Sequence, residues 1–126
     1  MAVSYSATLR DNRLDEISAA VGSAGLLRIY SDTRPAAGGT ETTVLAQFTL
    51  GSPFAPAASG GSLSPTLPAD TTASASGEAT WFRVMDSAET FVMDGDVGTD
   101  MTLNDVNLVE NGTVSVTGWT INHGNA

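Results

Sequence analysis

A chain of 126 residues is long enough for one domain with its own core, and too short for a catalytic domain plus a partner domain. Its 14 acidic residues face five basic ones, all of them arginine, and the net charge of -9 argues against a polybasic surface for nucleic acid or anionic lipid. Cysteine is absent, so disulfides, thiolate metal sites and cysteine nucleophiles drop out together and packing has to hold the fold.

The first residues carry no basic and apolar leader, and no window is apolar enough to span a bilayer, so the expectation is a soluble product without a secretion signal. Leu9, Leu14, Ile17 and Val21 recur at near-helical spacing and predict a helix over 6–21, with Ser6 as its N-cap and Gly22 as its stop. Arg10, Arg13, Asp15 and Glu16 fall on its polar side and read as a solvated face. Leu26, Leu27, Ile29 and Tyr30 make a short apolar run that predicts a strand over 26–30, closed by a turn at Arg34 and Pro35. Residues 35–42, with Gly38 and Gly39, read as a flexible surface loop. A second strand follows over 43–50, where Val44, Ala46, Phe48 and Leu50 alternate with Leu45, Gln47 and Thr49.

Residues 51–76 shift to Ser, Ala, Gly, Thr and Pro, and the prolines at 53, 56, 65 and 68 interrupt any regular ladder. Phe54, Leu63 and Leu67 punctuate the stretch, which a purely solvated linker does not need. It reads as an extended arm or long loop lying on a surface, with room for a short strand at 72–76. Two β-rich runs from Glu78 to Val97 then flank a polar link at 86–88 and predict a hairpin. In its first run Thr80, Phe82 and Val84 share one face and Trp81, Arg83 and Met85 the other. Large apolar groups on both faces place this hairpin in the middle of the domain. Short strands are expected at 101–103 and 106–109, and Asn111 with Gly112 predicts a tight hairpin turn into a last strand over 113–122. Val114 and Val116 have the opposite parity to Trp119 and Ile121, so a bulge at Gly118 is needed to bring all four to one core. The fold class is mainly β, with six to eight strands in a β-sandwich or rolled β-sheet, one N-terminal helix and a long Ser/Ala/Gly/Pro-rich loop.

No motif couples a nucleophile to a base, so no catalytic residue is named and no enzyme is expected. His123 is the single histidine and cannot build a metal cluster or a Ser-His-Asp triad alone. Asp94, Asp96 and Asp100, with Asp105 beyond, could offer hard oxygen ligands to calcium, but their spacing with Gly95 and Gly98 is also ordinary turn chemistry. The turn reading is preferred, and no metal or cofactor is expected. Asn111 to Thr113 fits a glycosylation sequon, which the hairpin turn explains. Trp81, Trp119 and Tyr30 invite a sugar-binding platform or, more commonly, core packing.

Several stretches together resemble a family of small bacteriophage virion proteins. They are residues 13–17 (Arg-Leu-Asp-Glu-Ile), 25–30 (Gly-Leu-Leu-Arg-Ile-Tyr) followed by Arg34-Pro35, 54–61 (Phe-Ala-Pro-Ala-Ala-Ser-Gly-Gly), 77–83 (Gly-Glu-Ala-Thr-Trp-Phe-Arg), 93–95 (Met-Asp-Gly) and 116–125 (Val-Thr-Gly-Trp-Thr-Ile-Asn-His-Gly-Asn). The similarity runs in order over nearly the whole chain and carries no catalytic motif. It implies a tailed-phage structural component made in the bacterial cytoplasm and incorporated into the virion. The favoured role is a capsid decoration (cement) protein on the outer surface of the head. A tail, connector or fibre-associated component is the rival, and a carbohydrate-binding module the alternative of another class. Partners are then the major capsid protein or other virion proteins and further copies of the chain, with a trimer favoured. Nucleic acid and membrane are not expected as partners. Tyr5, Phe54, Leu63 and Leu67 are the candidate protein contacts, carried by the arm and the termini.

Overall fold

A computed structural model describes residues 5–51 and 54–122. Among them one helix, α1 (Ala7–Val21), precedes twelve strands. These are β1 (Leu26–Tyr30), β2 (Val44–Thr49), β3 (Ser62–Leu63), β4 (Thr71–Thr72), β5 (Gly77–Glu78), β6 (Trp81–Met85), β7 (Phe91–Asp96), β8 (Met101–Leu103), β9 (Asn107–Leu108), β10 (Thr113–Val114), β11 (Val116–Trp119) and β12 (Ile121–Asn122). The Ser6 hydroxyl accepts from the Leu9 N–H at 3.1 Å, the cap predicted from sequence, which contributes about 1 kcal/mol. Gly22 ends the helix at φ 66° and returns its N–H to the Ser18 carbonyl. Leu14 and Val21 are buried and Ile17 packs against the core, but Leu9, expected with them, stands 43% exposed. Five residues from Leu9 to Leu14 turn the helix by about 140° beyond one revolution, so the two cannot share a stripe.

The largest sheet is antiparallel in the order β2-β1-β6-β7. Ile29 lies opposite Ala46 and Phe82, and Leu27 opposite Phe48 and Val84, so one face is apolar throughout and forms the core. At Gly95 the sheet closes on the Phe82 ring, where an added Cβ would sit 2.4 Å from a ring carbon. The hairpin β6-β7 forms as predicted, and every residue of β6 is buried.

Among the described residues the expected single sandwich or rolled sheet is not formed. Beyond the main sheet the chain makes four two-stranded ladders, β3-β12, β4-β10, β5-β9 and β8-β11. Glycines and prolines keep these pieces short: β3, for example, lies between Gly60-Gly61 and Pro65. Nor does the described part of the arm, 54–76, merely lie on a surface. Phe54 and Leu63 are 1% and 0% exposed, in the core with Ala73, and Phe54 stacks edge-on against Trp119 at 5.3 Å. Asp15 and Asp11 of α1 accept from the Ala58 and Gly61 N–H groups at 2.8 Å each, tying the segment to the helix. The carboxylate read as part of a solvated face is therefore a clamp, because main-chain donors in a segment of little regular structure need acceptors.

Two turn predictions part ways. The ladder β8-β11 shifts register between Val116 and Gly118, and the bulge leaves Val114, Val116 and Trp119 buried with Ile121 packed beside them, as the parity of the sequence required. Asn111 does turn the chain, at φ 70°, with Gly112 N–H on the Val109 carbonyl, but the strands on either side do not pair with each other. β9 pairs with β5 and β10 with β4, since Ala73 exchanges main-chain bonds with Asn111 and Gly112 and draws the turn onto the arm.

Burial makes the core role of the arm measurable. Phe54→Ala is expected to cost about 3–5 kcal/mol and Leu63→Ala about 2–5 kcal/mol, whereas Leu67→Ala should stay within about 0.5 kcal/mol. Urea unfolding curves check this, and equal midpoints for the three variants and the parent chain would overturn the packing account.

Candidate functional site

The second face of the main sheet holds the densest polar chemistry in the fold. Pairing puts Arg28 opposite Arg83, Tyr30 opposite Trp81 and Arg83 opposite Asp94 on that face. Arg83 and Asp94 form an ion pair at 2.7 Å with side chains only 7% and 3% exposed. A second Arg83 nitrogen reaches the other Asp94 oxygen at 3.1 Å and the Gly39 carbonyl at 2.8 Å. Asp94 also accepts from the Gly38 N–H. The guanidinium lies over the Trp81 ring at 5.2 Å and the Phe91 ring at 5.3 Å, both within cation–π reach. Trp81 stacks on Tyr30 with centroids 4.1 Å apart and donates its indole N–H to Thr42 and to the Ser31 carbonyl.

The loop 31–43, whose residues 35–42 are expected from sequence to be a flexible surface segment, is therefore fastened over this face. Its outer fastening is Glu41, which accepts from the Tyr30 hydroxyl and from Arg28. Arg28 also bonds Glu89 and the Gln47 side chain. Burial works against the Arg28 charge, but the bonds to Glu89 and Glu41 outweigh it and its pKa is raised. The Asp94 bond raises Arg83 in the same direction, against its burial. Burial, then the Glu41 carboxylate, pushes the Tyr30 hydroxyl well above its usual range. Glu41 is held below the usual carboxylate range, first by the Tyr30 hydrogen bond and then by Arg28, with burial opposing.

The acidic loop is turn chemistry. Asp94 serves the clasp, Asp100 accepts from the Asp96 N–H, Asp105 from the Asn107 N–H, and Asp96 pairs with Arg34 at 3.3 Å on the surface. Among the described residues no group of three or more His, Cys, Asp or Glu side chains converges; His123 lies outside them. A cleft of about 230 Å³ lies above this loop, lined by Phe82, Asp94, Thr99, Asp100 and Trp119 among others. Its two carboxylates are engaged as described, and no nucleophile is paired with a base there.

Of the candidate contacts, Phe54 and Leu63 are core residues and cannot reach a partner while the domain is folded. Tyr5 is half-buried with the Arg13 guanidinium 4.9 Å from its ring centre. Leu67 is 45% exposed and joins Leu9, Phe91, Val106 and Val109 as the large apolar side chains at the surface among the described residues. Tyr30 and Trp81 are fully buried and Trp119 is 5% exposed, so these rings present no stacking platform to a sugar.

No family model, curated protein or solved structure matches this chain. The residues that reading the sequence missed are Glu41, Arg28 and Asp94 as a clasp. The available signal was parity: Arg28 and Tyr30 share a face in β1, as Arg83 and Trp81 do in β6, which left a second buried face in need of a cover.

Three outcomes follow from these contacts. Asp94→Ala leaves Arg83 buried and uncompensated and is expected to cost about 3–5 kcal/mol, while a loss below about 1 kcal/mol in chemical unfolding would show the pair to be dispensable. Because the Glu41 pKa is depressed in the fold, its stabilisation is present above the ordinary carboxylate pKa and is lost as pH falls through the folded value. The gap in Tm between the parent chain and Glu41→Gln should then close below about pH 4, and a gap constant with pH would remove Glu41 from the clasp. Chelators should leave Tm unchanged, since Asp96 and Asp100 serve turns. A calcium-dependent rise of several degrees would overturn that role.

Proposed function

We propose that this chain is a non-enzymatic bacteriophage structural protein that binds the outer surface of the assembled head and stabilises it by bridging capsid subunits. One observation carries the protein-binding part of the reading. The groups best able to do chemistry, Arg28, Tyr30, Glu41, Arg83 and Asp94, are bonded to one another within the chain. What remains at the surface is acidic charge and large apolar side chains such as Leu67, Val106 and Val109. Such a surface suits protein partners better than nucleic acid, which needs clustered positive charge. No helix among the described residues is long and apolar enough to cross a membrane. The resemblance of the sequence to small virion proteins supports a phage particle as the setting and the major capsid protein as the proposed partner.

The role on the head is tested on particles. Purified virions should contain the chain in numbers that scale with the capsid subunits, and particles lacking it should fail sooner under heat and osmotic shock. A copy number matched to the tail or connector would move the chain there, and equal resistance of both kinds of particle would end the cement reading. Leu67→Ser with Val109→Ser should lower occupancy on the head while leaving Tm in place, because both side chains are exposed in the isolated fold.

A further inference from the structure

The two edges of the main sheet differ. Natural sheets guard their edges with charge, proline, bulges or covering segments. β7 is guarded by Asp94 and Asp96, and the outward N–H and carbonyl of Asp96 are both taken by Asp100, at 2.9 and 3.0 Å. β2 is covered only at its start, where β4 packs against it and the Leu45 carbonyl accepts from the N–H and hydroxyl of Ser74. The rest of its edge follows from Leu50, whose N–H bonds the Gly25 carbonyl beside β1 at 2.8 Å. In an antiparallel ladder alternate residues aim their main-chain groups the same way. Phe48 and Ala46 therefore face β1, while Gln47 and Thr49 turn N–H and carbonyl outward. Among the described residues nothing bonds those four groups, and both side chains are exposed.

Charge selects the occupant. The chain carries a net -9, yet no residue between Glu41 and Asp70 is charged, so β2 lies wholly within its longest neutral stretch. Two copies meeting along β2 put no like charges directly opposite each other, and the edge lacks the lysine or proline that would forbid self-pairing. We propose that a second copy of this chain occupies the edge: two β2 strands pair antiparallel about a two-fold axis at Phe48, with Gln47 opposite Thr49 of the second copy. Each outward N–H and carbonyl then finds a partner, and two four-stranded sheets become one. The contact is self-complementary and closes as a dimer, in place of the three-fold assembly expected from sequence.

The test uses the purified full-length chain without virions, so its result is independent of the role on the head. Sedimentation equilibrium up to about 1 mM should show a concentration-dependent dimer. Thr49→Pro removes one outward N–H without touching the ladder to β1, and should give a monomer with unchanged Tm. The chain has no cysteine of its own, which allows a second test that fixes the register. An oxidised mixture of Gln47→Cys and Thr49→Cys should form a disulfide between the two variants. Either variant alone should not, because identical positions would lie about 8 Å apart across the axis. A parent chain that stays monomeric over that range, a dimer that survives Thr49→Pro, or cross-linking of either variant by itself would overturn the proposal. Should Thr49→Pro fail to fold, the cysteine pair decides alone.

Discussion

An arginine in a strand buried on both faces has to find its counter-charge inside the fold, and much of this structure follows from how Arg83 does so. Taking a guanidinium out of water costs several kcal/mol unless a carboxylate and further acceptors surround it. Asp94 lies directly across the ladder and supplies both oxygens, and the Gly39 carbonyl takes a further donor. That acceptor belongs to the loop 31–43, so the ion pair can be completed only if the loop lies over the sheet. The aromatic pair Tyr30 and Trp81 is buried by the same movement, and Glu41 closes the outer end on Arg28.

The other face is built by a different means. There the cover is α1 together with the short two-stranded ladders, none of which is long enough to stand alone. Each contributes apolar side chains to a continuous core, among them Leu63 from β3, Leu108 from β9, Val114 from β10 and Trp119 from β11. The main chain between them is held by side-chain acceptors as well as by ladders, as Asp11 and Asp15 show at Gly61 and Ala58. A fold assembled in this way has many partners distant in the chain. Its central contact joins β1 to β6 across some fifty residues, so the sheet cannot form before that long loop closes.

Both covers use up polar chemistry internally, and this shapes what the surface can offer. Charged groups that would otherwise be free to act on a ligand are committed to holding a loop, and the rings that would make a binding platform are the filling of the core. The surface left over is acidic and dotted with single apolar side chains, and at Gln47 and Thr49 of β2 it is neutral with main-chain groups that find no partner among the described residues. On the proposed function, recognition rests on shape, exposed Leu and Val side chains and strand edges.

The local signals in the sequence determined the local elements. Ser6 and Gly22 bound the helix, period-two runs mark β1, β2, β6 and β7, and the parity break around Gly118 locates a bulge, because caps, alternation and phase are properties of a few adjacent residues. The same alternation showed that the first strand of the hairpin, β6, is buried on both faces, while β7 lies at the sheet edge and is only partly covered. Only the tertiary structure decided what buries it. The docking of Phe54 and Leu63 into the core, the clasp of Glu41 and Asp94 on the two arginines, and the diversion of the Asn111 turn to the arm all join residues tens of positions apart. Spacing along the chain carries no record of such pairs; they are chosen by which buried charge, ring or unpaired amide still lacks a partner once the local elements have formed.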